Sequence, residues 1–192
     1  MALMPCFGPN QAEAEGHIVG RILAGYGELE VLMLACLVSV EGQTDLPTRL
    51  LFKRMSAENR IKQAKKALLP DFKKAGQEAE MREALDDVNW CRKLRNQYAH
   101  CQWGWTQPLG LFFVNLEDLA DDPALIVQVM NKPLYVDVPL LTAQEEYCNY
   151  VREQFMHLQT AYEAWDRKSS TPKMARFVFP KPPKITRPQL SK

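Results

Sequence analysis

An arginine and a histidine stand five positions apart in the stretch from Asp86 to Trp103, as Arg95 and His100. The spacing of apolar residues around them predicts that this stretch forms the last turns of a helix. A guanidinium can grip a phosphate group with two donors, and an imidazole can take or give a proton near neutral pH. The pair therefore indicates chemistry at a phosphate, with an ordinary helix-end arginine and histidine as the plain alternative.

Other residue types that carry chemistry are scattered along the chain. The five cysteines form no CxxC pair and no cysteine–histidine cluster, so we expect no metal site and a reducing, cytoplasmic location. His17 and His157 have no partner at a metal-ligand spacing, and Asp86 with Asp87 is expected to be a solvated acidic pair. The sequence contains no phosphate-binding glycine loop and no serine-nucleophile elbow, so no cofactor is expected.

Four helices are expected to position the pair. Their hydrophobic periodicity gives bounds of about 11–41, 46–69, 76–103 and 142–167. The second helix is expected to break near Met55 or Ser56 and to end at Pro70, because proline cannot continue the hydrogen-bond ladder. Thr142 with Glu145 three residues later is a capping box that predicts the start of the last helix.

The hydrophobic period changes after the third helix. Residues 109–115 and 133–138 are rich in β-branched and aromatic side chains and predict two short strands, with an acidic loop between them. The strands are expected to pair as a small hairpin. The sequence therefore predicts a mainly all-α fold, an up-down four-helix bundle with a small β-hairpin inserted between helices three and four.

Length and charge suggest one domain and a tail. With 192 residues and 46% apolar content, the chain is long enough for a buried core, which we place in residues 1–168. Residues 169–192 hold five prolines and six basic residues but no acid, which predicts an extended tail. The apolar run 31–40 is too short to span a membrane, and no signal-peptide pattern precedes it.

Arg95 and His100 cannot form a complete site within one helix. Five residues correspond to about 140° around the helix axis and about 7.5 Å along it, so the two side chains do not converge on one atom. A two-fold dimer that packs this helix end against its copy would bring two arginines and two histidines into one cleft. We therefore expect a homodimer.

The segment Arg95-Asn-Gln-Tyr-Ala-His100 resembles the R-x4-H motif of the HEPN superfamily, the higher eukaryote and prokaryote nucleotide-binding domains. The polar residue after the arginine, Asn96, and the expected position at the end of the third helix also resemble that family. The resemblance implies an HEPN-like bundle that dimerises and cleaves single-stranded RNA as a metal-independent endoribonuclease. The 2′-hydroxyl of RNA would be the nucleophile, and the products would carry a 2′,3′-cyclic phosphate and a 5′-hydroxyl.

The resemblance also assigns roles to residues of this sequence. The implied catalytic residues are Arg95 and His100. The candidate substrate-binding residues are Asn96, Arg92, Lys93, Tyr98 and Trp103. The amide of Asn96 would orient the imidazole of His100 or bind a phosphate oxygen. The positive charges of Arg92 and Lys93 would attract the RNA backbone. The two aromatic rings would either stack on unpaired bases or pack in the core or the dimer interface.

Two other functions fit the same sequence. An inactive member of the fold would bind RNA or dimerise without cutting, and would use Arg95 and His100 only to hold the helix end. The excess of acidic residues in 1–168 favours that interpretation, because polyanion binders usually present a basic face. A helical scaffold or regulatory partner would instead use its apolar faces and its tail to contact protein. A toxin or phage-defence role would add an antidote or accessory protein as a partner.

Overall fold

The computed structural model describes residues 12–53, 55–106, 110–115, 134–166 and 180–186, and in this part of the chain the protein is mainly helical. The helices are α1 (Glu13–Glu41), α2 (Asp45–Phe52), α3 (Ala57–Lys74), α4 (Glu78–Ala99) and α5 (Val138–Asp166). The strands are β1 (Cys101–Thr106), β2 (Gly110–Asn115) and β3 (Leu134–Tyr135). The small antiparallel sheet lies between α4 and α5. The expected four helices with a hairpin after the third must therefore be corrected, within the described ranges, to five helices with a hairpin after the fourth.

The chain forms two compact units. The first unit comprises Met1–Ala24, Leu94–Tyr147 and Pro182–Lys192, and the second comprises Gly25–Lys93 and Cys148–Lys181. Helices α1, α4 and α5 each contribute residues to both units. Arg95 and His100 belong to the first unit.

The expected second helix is two helices. The break was predicted near Met55 or Ser56, and it is confirmed, because α2 ends at Phe52 and α3 begins at Ala57. The Ser56 hydroxyl accepts a hydrogen bond from the backbone N–H of Asn59 at 3.3 Å and so caps the new helix.

Pro70 does not end α3, contrary to the prediction. The helix continues to Lys74, with Leu68 and Phe72 buried on either side of the exposed proline. Burial of these two side chains outweighs the hydrogen bond that proline cannot donate. The helix ends instead at Lys74, and a Schellman motif follows it. The φ of 75° at Gly76 lets the N–H of Gln77 donate to Phe72 O at 2.8 Å, and the N–H of Gly76 donates to Lys73 O at 3.0 Å.

The predicted helix 76–103 is too long at its C-terminal end. α4 ends at Ala99, and residues 101–106 form β1. β1 pairs with β2 in antiparallel register, with Trp103 opposite Phe113 and Gly104 opposite Phe112. The predicted strand at 109–115 is confirmed as β2, but its main partner is β1. In the described part of the predicted strand 133–138, which starts at Leu134, only Leu134–Tyr135 is a strand. It pairs with the other edge of β2.

The last helix begins earlier than predicted. The carboxylate of Asp137 accepts a hydrogen bond from the backbone N–H of Leu140 at 2.9 Å, which caps α5 at Val138. Thr142 and Glu145 therefore lie inside the helix and do not form a capping box. The Glu145 carboxylate instead pairs with the guanidinium of Arg21, with Oε2 2.9 Å from Nη2.

Each unit has its own apolar packing. In the first unit the rings of Tyr98, Trp103 and Phe113 contact one another, with centroid separations of 5.4 to 5.7 Å. In the second unit the rings of Phe72 and Tyr162 stack at 4.8 Å. The largest fully buried side chains of the second unit come from several helices and include Leu29, Met33, Leu37, Leu68, Phe72, Met81, Leu85 and Phe155.

Among the described helices, α1 alone is long and apolar enough to cross a membrane, judged by length and composition. A third of its most apolar window is buried inside the protein, and a core helix of a soluble protein meets the same criteria. Three charged residues in α1, Arg21, Glu28 and Glu30, each form an ion pair with a side chain of another helix. Within the apolar run 31–40, Met33, Cys36 and Leu37 are fully buried, whereas Val31 is exposed.

Candidate functional site

The last turn of α4 carries the R-x4-H motif. Arg95 and Asn96 are half-buried on this turn, and His100 follows its last helical residue, Ala99, with an exposed side chain. The backbone N–H of His100 donates to Asn96 O at 3.0 Å, which continues the helical hydrogen-bond pattern by one residue. The imidazole is therefore presented to solvent from a fixed backbone position.

Arg95 is a half-buried cation with an uncharged partner. Its Nη1 donates to Asn96 Oδ1 at 3.2 Å, and no carboxylate of the described residues lies within ion-pair distance of it. Five other described arginines do have carboxylate partners: Arg21, Arg60, Arg82, Arg92 and Arg152. A guanidinium that is partly desolvated and not neutralised attracts an anion, and its remaining donors suit a phosphate.

Asn96 orients the arginine. The motif suggested that this amide would orient His100 or bind a phosphate oxygen, and the structure gives its Oδ1 to Arg95. The contact between neighbouring side chains restricts the rotamers of the guanidinium. Asn96 therefore fixes the cation at the helix end on which His100 is exposed.

Tyr98 and Trp103 are covered by protein. They are 2% and 8% exposed, and both pack against Phe113. The Tyr98 hydroxyl donates to Gln144 Oε1 at 2.5 Å. Of the two roles expected for these rings, base stacking or packing, the contacts in the first unit are those of packing.

Arg92 and Lys93 belong to the second unit. Arg92 Nε donates to Asn89 Oδ1 at 3.1 Å, and its Nη2 lies 3.7 Å from Glu58 Oε2. The Lys93 side chain is exposed. Arg92 is therefore engaged by polar groups of its own unit, whereas Lys93 contributes a solvated positive charge.

Cys101 follows the motif directly, and burial disfavours the reactive thiolate form of its side chain. Burial raises the pKa of its thiol to about 12, so the thiol stays protonated near neutral pH. Its Sγ lies 3.5 Å from Tyr98 O. Arg95 and His100 therefore remain the candidate reactive side chains at this helix end.

The described residues contain no group of three or more His, Cys, Asp or Glu side chains that could hold a metal ion. Asp86 and Asp87, expected to form one solvated pair, have different surroundings. The exposed Asp86 carboxylate pairs with Lys65, and the Asp87 carboxylate is 1% exposed and lies 2.5 Å from Lys181 Nζ. The solvated-pair prediction is therefore wrong for Asp87.

One buried residue beside the motif was missed from the sequence. Gln144 is 1% exposed, and its amide contacts Tyr98 at one end and the backbone of Ile185 at the other. A signal was present, because Gln144 occupies the apolar stripe of α5 that continues through Tyr147 and Val151. A polar residue in a buried stripe needs hydrogen-bond partners.

Comparisons of the chain with protein-family models, with curated proteins and with solved structures found no match.

Proposed function

We propose that this protein is a metal-independent endoribonuclease of the HEPN type, which cleaves single-stranded RNA at a site shared by two subunits. The observation that carries the proposal is Arg95, a half-buried guanidinium without a carboxylate partner among the described residues. It lies on the same helix end as the exposed imidazole of His100. A cation that can hold a phosphate and a group that can transfer a proton are two of the components that RNA cleavage needs.

The chemistry uses a nucleophile that RNA itself supplies. The 2′-oxygen forms a bond to the adjacent phosphorus while the bond from phosphorus to the 5′-oxygen breaks. One imidazole accepts the proton of the 2′-hydroxyl, and an imidazolium gives a proton to the departing 5′-oxygen. The guanidinium of Arg95 offsets the negative charge that builds on the phosphate oxygens. The products are a 2′,3′-cyclic phosphate and a 5′-hydroxyl.

A second subunit supplies the remaining groups. One chain offers one motif histidine, whereas the reaction needs both a proton acceptor and a proton donor. A two-fold axis beside the end of α4 would bring the two copies of Arg95 and His100 to one phosphate. The homodimer is therefore part of the proposal.

The proposal is tested with labelled single-stranded RNA in buffer that contains EDTA. We expect cleavage by the wild-type protein, and its loss in both Arg95→Ala and His100→Ala. The control variant is His17→Ala, which removes an exposed histidine of α1 outside the motif and should cleave at the wild-type rate. A DNA strand of the same sequence should stay intact, because it lacks the 2′-hydroxyl.

Three results would contradict the proposal. Cleavage that is unchanged in Arg95→Ala and His100→Ala would place the activity elsewhere. Cleavage of the DNA strand would exclude the 2′-hydroxyl as nucleophile. RNA binding without cleavage would assign the chain to the inactive RNA-binding alternative.

Mixing wild-type and His100→Ala subunits tests the shared site. After equal amounts exchange, about a quarter of the dimers keep both motif histidines and about half keep one. The proposed reaction needs one histidine as proton acceptor and one as proton donor, so only dimers with both should cleave, and we expect about a quarter of the activity of the same amount of wild-type protein. About half of that activity, in a sample that light scattering shows to be dimeric, would mean that each subunit acts alone.

A further inference from the structure

Gln144 is a buried side chain of α5 that uses both ends of its amide. Its Nε2 donates to Ile185 O at 3.0 Å, and its Oε1 accepts from the Tyr98 hydroxyl at 2.5 Å. A backbone carbonyl can only accept, so the amide nitrogen must face Ile185 and the amide oxygen must face Tyr98. The orientation of the amide is therefore fixed by its two partners.

Tyr98 connects this amide to the motif. It lies between Arg95 and His100 on the last turn of α4, and its ring packs against Trp103 and Phe113. The backbone oxygen of Tyr98 also lies 3.5 Å from Cys101 Sγ. The side chain is 2% exposed, so its hydroxyl cannot exchange Gln144 for bulk water without local opening.

Ile185 belongs to the C-terminal segment 180–186, which contains neither helix nor strand. In the first unit, Lys184 of this segment places its Nζ 5.5 Å from the ring centroid of Tyr147. In the second unit, Lys181 places its Nζ 2.7 Å from Glu83 Oε1 and 2.5 Å from Asp87 Oδ2. The segment is thus attached by two cationic side chains and by one backbone carbonyl.

We propose that Gln144 is a positioning residue for the R-x4-H motif, which it ties through Tyr98 to the C-terminal segment 180–186. The catalytic consequence rests on the endoribonuclease proposed above. The amide does not touch the reacting groups. It acts through Tyr98, whose turn of α4 sets where the Arg95 guanidinium and the His100 imidazole stand. Loss of the tie should therefore loosen this turn and slow the chemical step with little effect on RNA binding.

Gln144→Glu separates the two ends of the tie. An ionised carboxylate can still accept from the Tyr98 hydroxyl, but it cannot donate to Ile185 O and meets that oxygen with like charge. Gln154→Glu is the matched control, because Gln154 is also on α5 and is 5% exposed. Both variants bury a carboxylate in the same helix, and only the first breaks the connection to the motif.

The first measurement is amide hydrogen exchange of the full-length protein. In Gln144→Glu we expect exchange at residues 96–100 to become at least about fivefold faster, with α3 unchanged. The difference in exchange rate between Gln144→Glu and wild type should shrink as the pH falls, because a protonated carboxyl group can donate to Ile185 O and accept from the Tyr98 hydroxyl. Exchange at residues 96–100 that equals the wild type, or that rises equally in Gln154→Glu, would overturn the proposal.

The second measurement is RNA cleavage by the same variants. We expect kcat of Gln144→Glu to fall about tenfold with KM within twofold, and Gln154→Glu to keep the wild-type kcat. If wild-type protein cleaves no RNA, the proposed function is wrong. Hydrogen exchange then still tests whether Gln144 holds the last turn of α4 through Tyr98. If wild-type protein cleaves RNA and Gln144→Glu keeps its kcat, the positioning role fails and the enzyme stands.

Tyr98→Phe provides the test if Gln144→Glu does not fold. It keeps the ring that packs on Trp103 and Phe113 and removes only the hydroxyl that Gln144 accepts from. Faster exchange at residues 96–100 in this variant would support the tie. Unchanged exchange there would overturn it.

Discussion

Arg92 and Arg95 stand one turn apart on α4. Arg92 belongs to the second unit, and Arg95 belongs to the first unit. Arg92 contacts an amide and lies 3.7 Å from the carboxylate of Glu58. Arg95 contacts the Asn96 amide alone, among the residues that the structure describes. Among the described residues, therefore, Arg92 has a carboxylate as counter-charge and Arg95 has none. We infer from this difference that Arg92 serves stability and that Arg95 is open to an anionic ligand.

The largest effect should come from removing the two cations in turn. We expect Arg95→Ala to lower RNA cleavage about a thousandfold, because a phosphate loses its charged donor in the transition state. Arg92→Ala should leave cleavage nearly unchanged and lower the free energy of unfolding by about 1 kcal/mol, through lost packing and charge pairing. Single-turnover cleavage and urea unfolding measure the two quantities. Equal losses of cleavage in both variants would remove the contrast.

The second effect concerns the buried carboxylate of Asp87. We expect Lys181→Ala to lower the free energy of unfolding by about 2 kcal/mol, because it takes away a counter-charge of a carboxylate that is 1% exposed. Adding Asp87→Asn should recover part of that loss, since the neutral amide costs less to bury. Thermal or urea unfolding of the single and double variants gives the answer. A double variant less stable than Lys181→Ala would contradict this account of the pair.

A third variant places a carboxylate beside Arg95, which has no carboxylate partner in the part of the chain that the structure describes. Asn96→Asp keeps the shape of the side chain and places a carboxylate on the guanidinium. We expect RNA cleavage to fall about tenfold and unfolding stability to rise by about 0.5 kcal/mol, because the new pair competes with the substrate phosphate. Asn89→Asp, the same change beside Arg92, is the control and should leave cleavage unchanged. Unaltered cleavage in Asn96→Asp would show that Arg95 does not need an open guanidinium.

The smallest effect should come from the exposed pair Arg21–Glu145 of the first unit. The hydrogen bond from Arg21 lowers the pKa of the Glu145 carboxyl below its ordinary value of 4.5. The stability that this pair contributes is therefore present above pH 4.5 and is lost as the pH falls through the lowered pKa. Urea unfolding should show Glu145→Gln slightly less stable than wild type at neutral pH, with the gap closing in acid. A gap that persists unchanged at pH 3 would disprove this linkage.

The helical part of the fold was largely readable from the sequence, because long periodic stripes determine α1, α4 and α5. The errors fall where local and long-range effects compete. Pro70 is a strong local stop, yet burial of Leu68 and Phe72 carries α3 past it. β1 was missed because its alternation of aromatic residues is short and follows a helical stripe without a proline.

Residue type and spacing were enough to select Arg95 and His100 as candidate site residues. The charges that surround them could not be predicted from the sequence. That Arg95 lacks a carboxylate partner among the described residues, and that Arg92 has one in Glu58, depends on which acids distant segments bring close. The tie through Gln144 depends on a contact with Ile185, 41 residues away, which no local pattern encodes.

Gly104 restricts which residue can stand opposite it in the hairpin. It stands opposite Phe112 across β1 and β2, and a Cβ on it would lie 2.1 Å from the tip of that ring. A side chain at this position therefore fits only if the Phe112 ring moves away or a smaller side chain replaces it. The two positions should change together during evolution, and this covariation would identify the hairpin where the rest of the sequence has diverged.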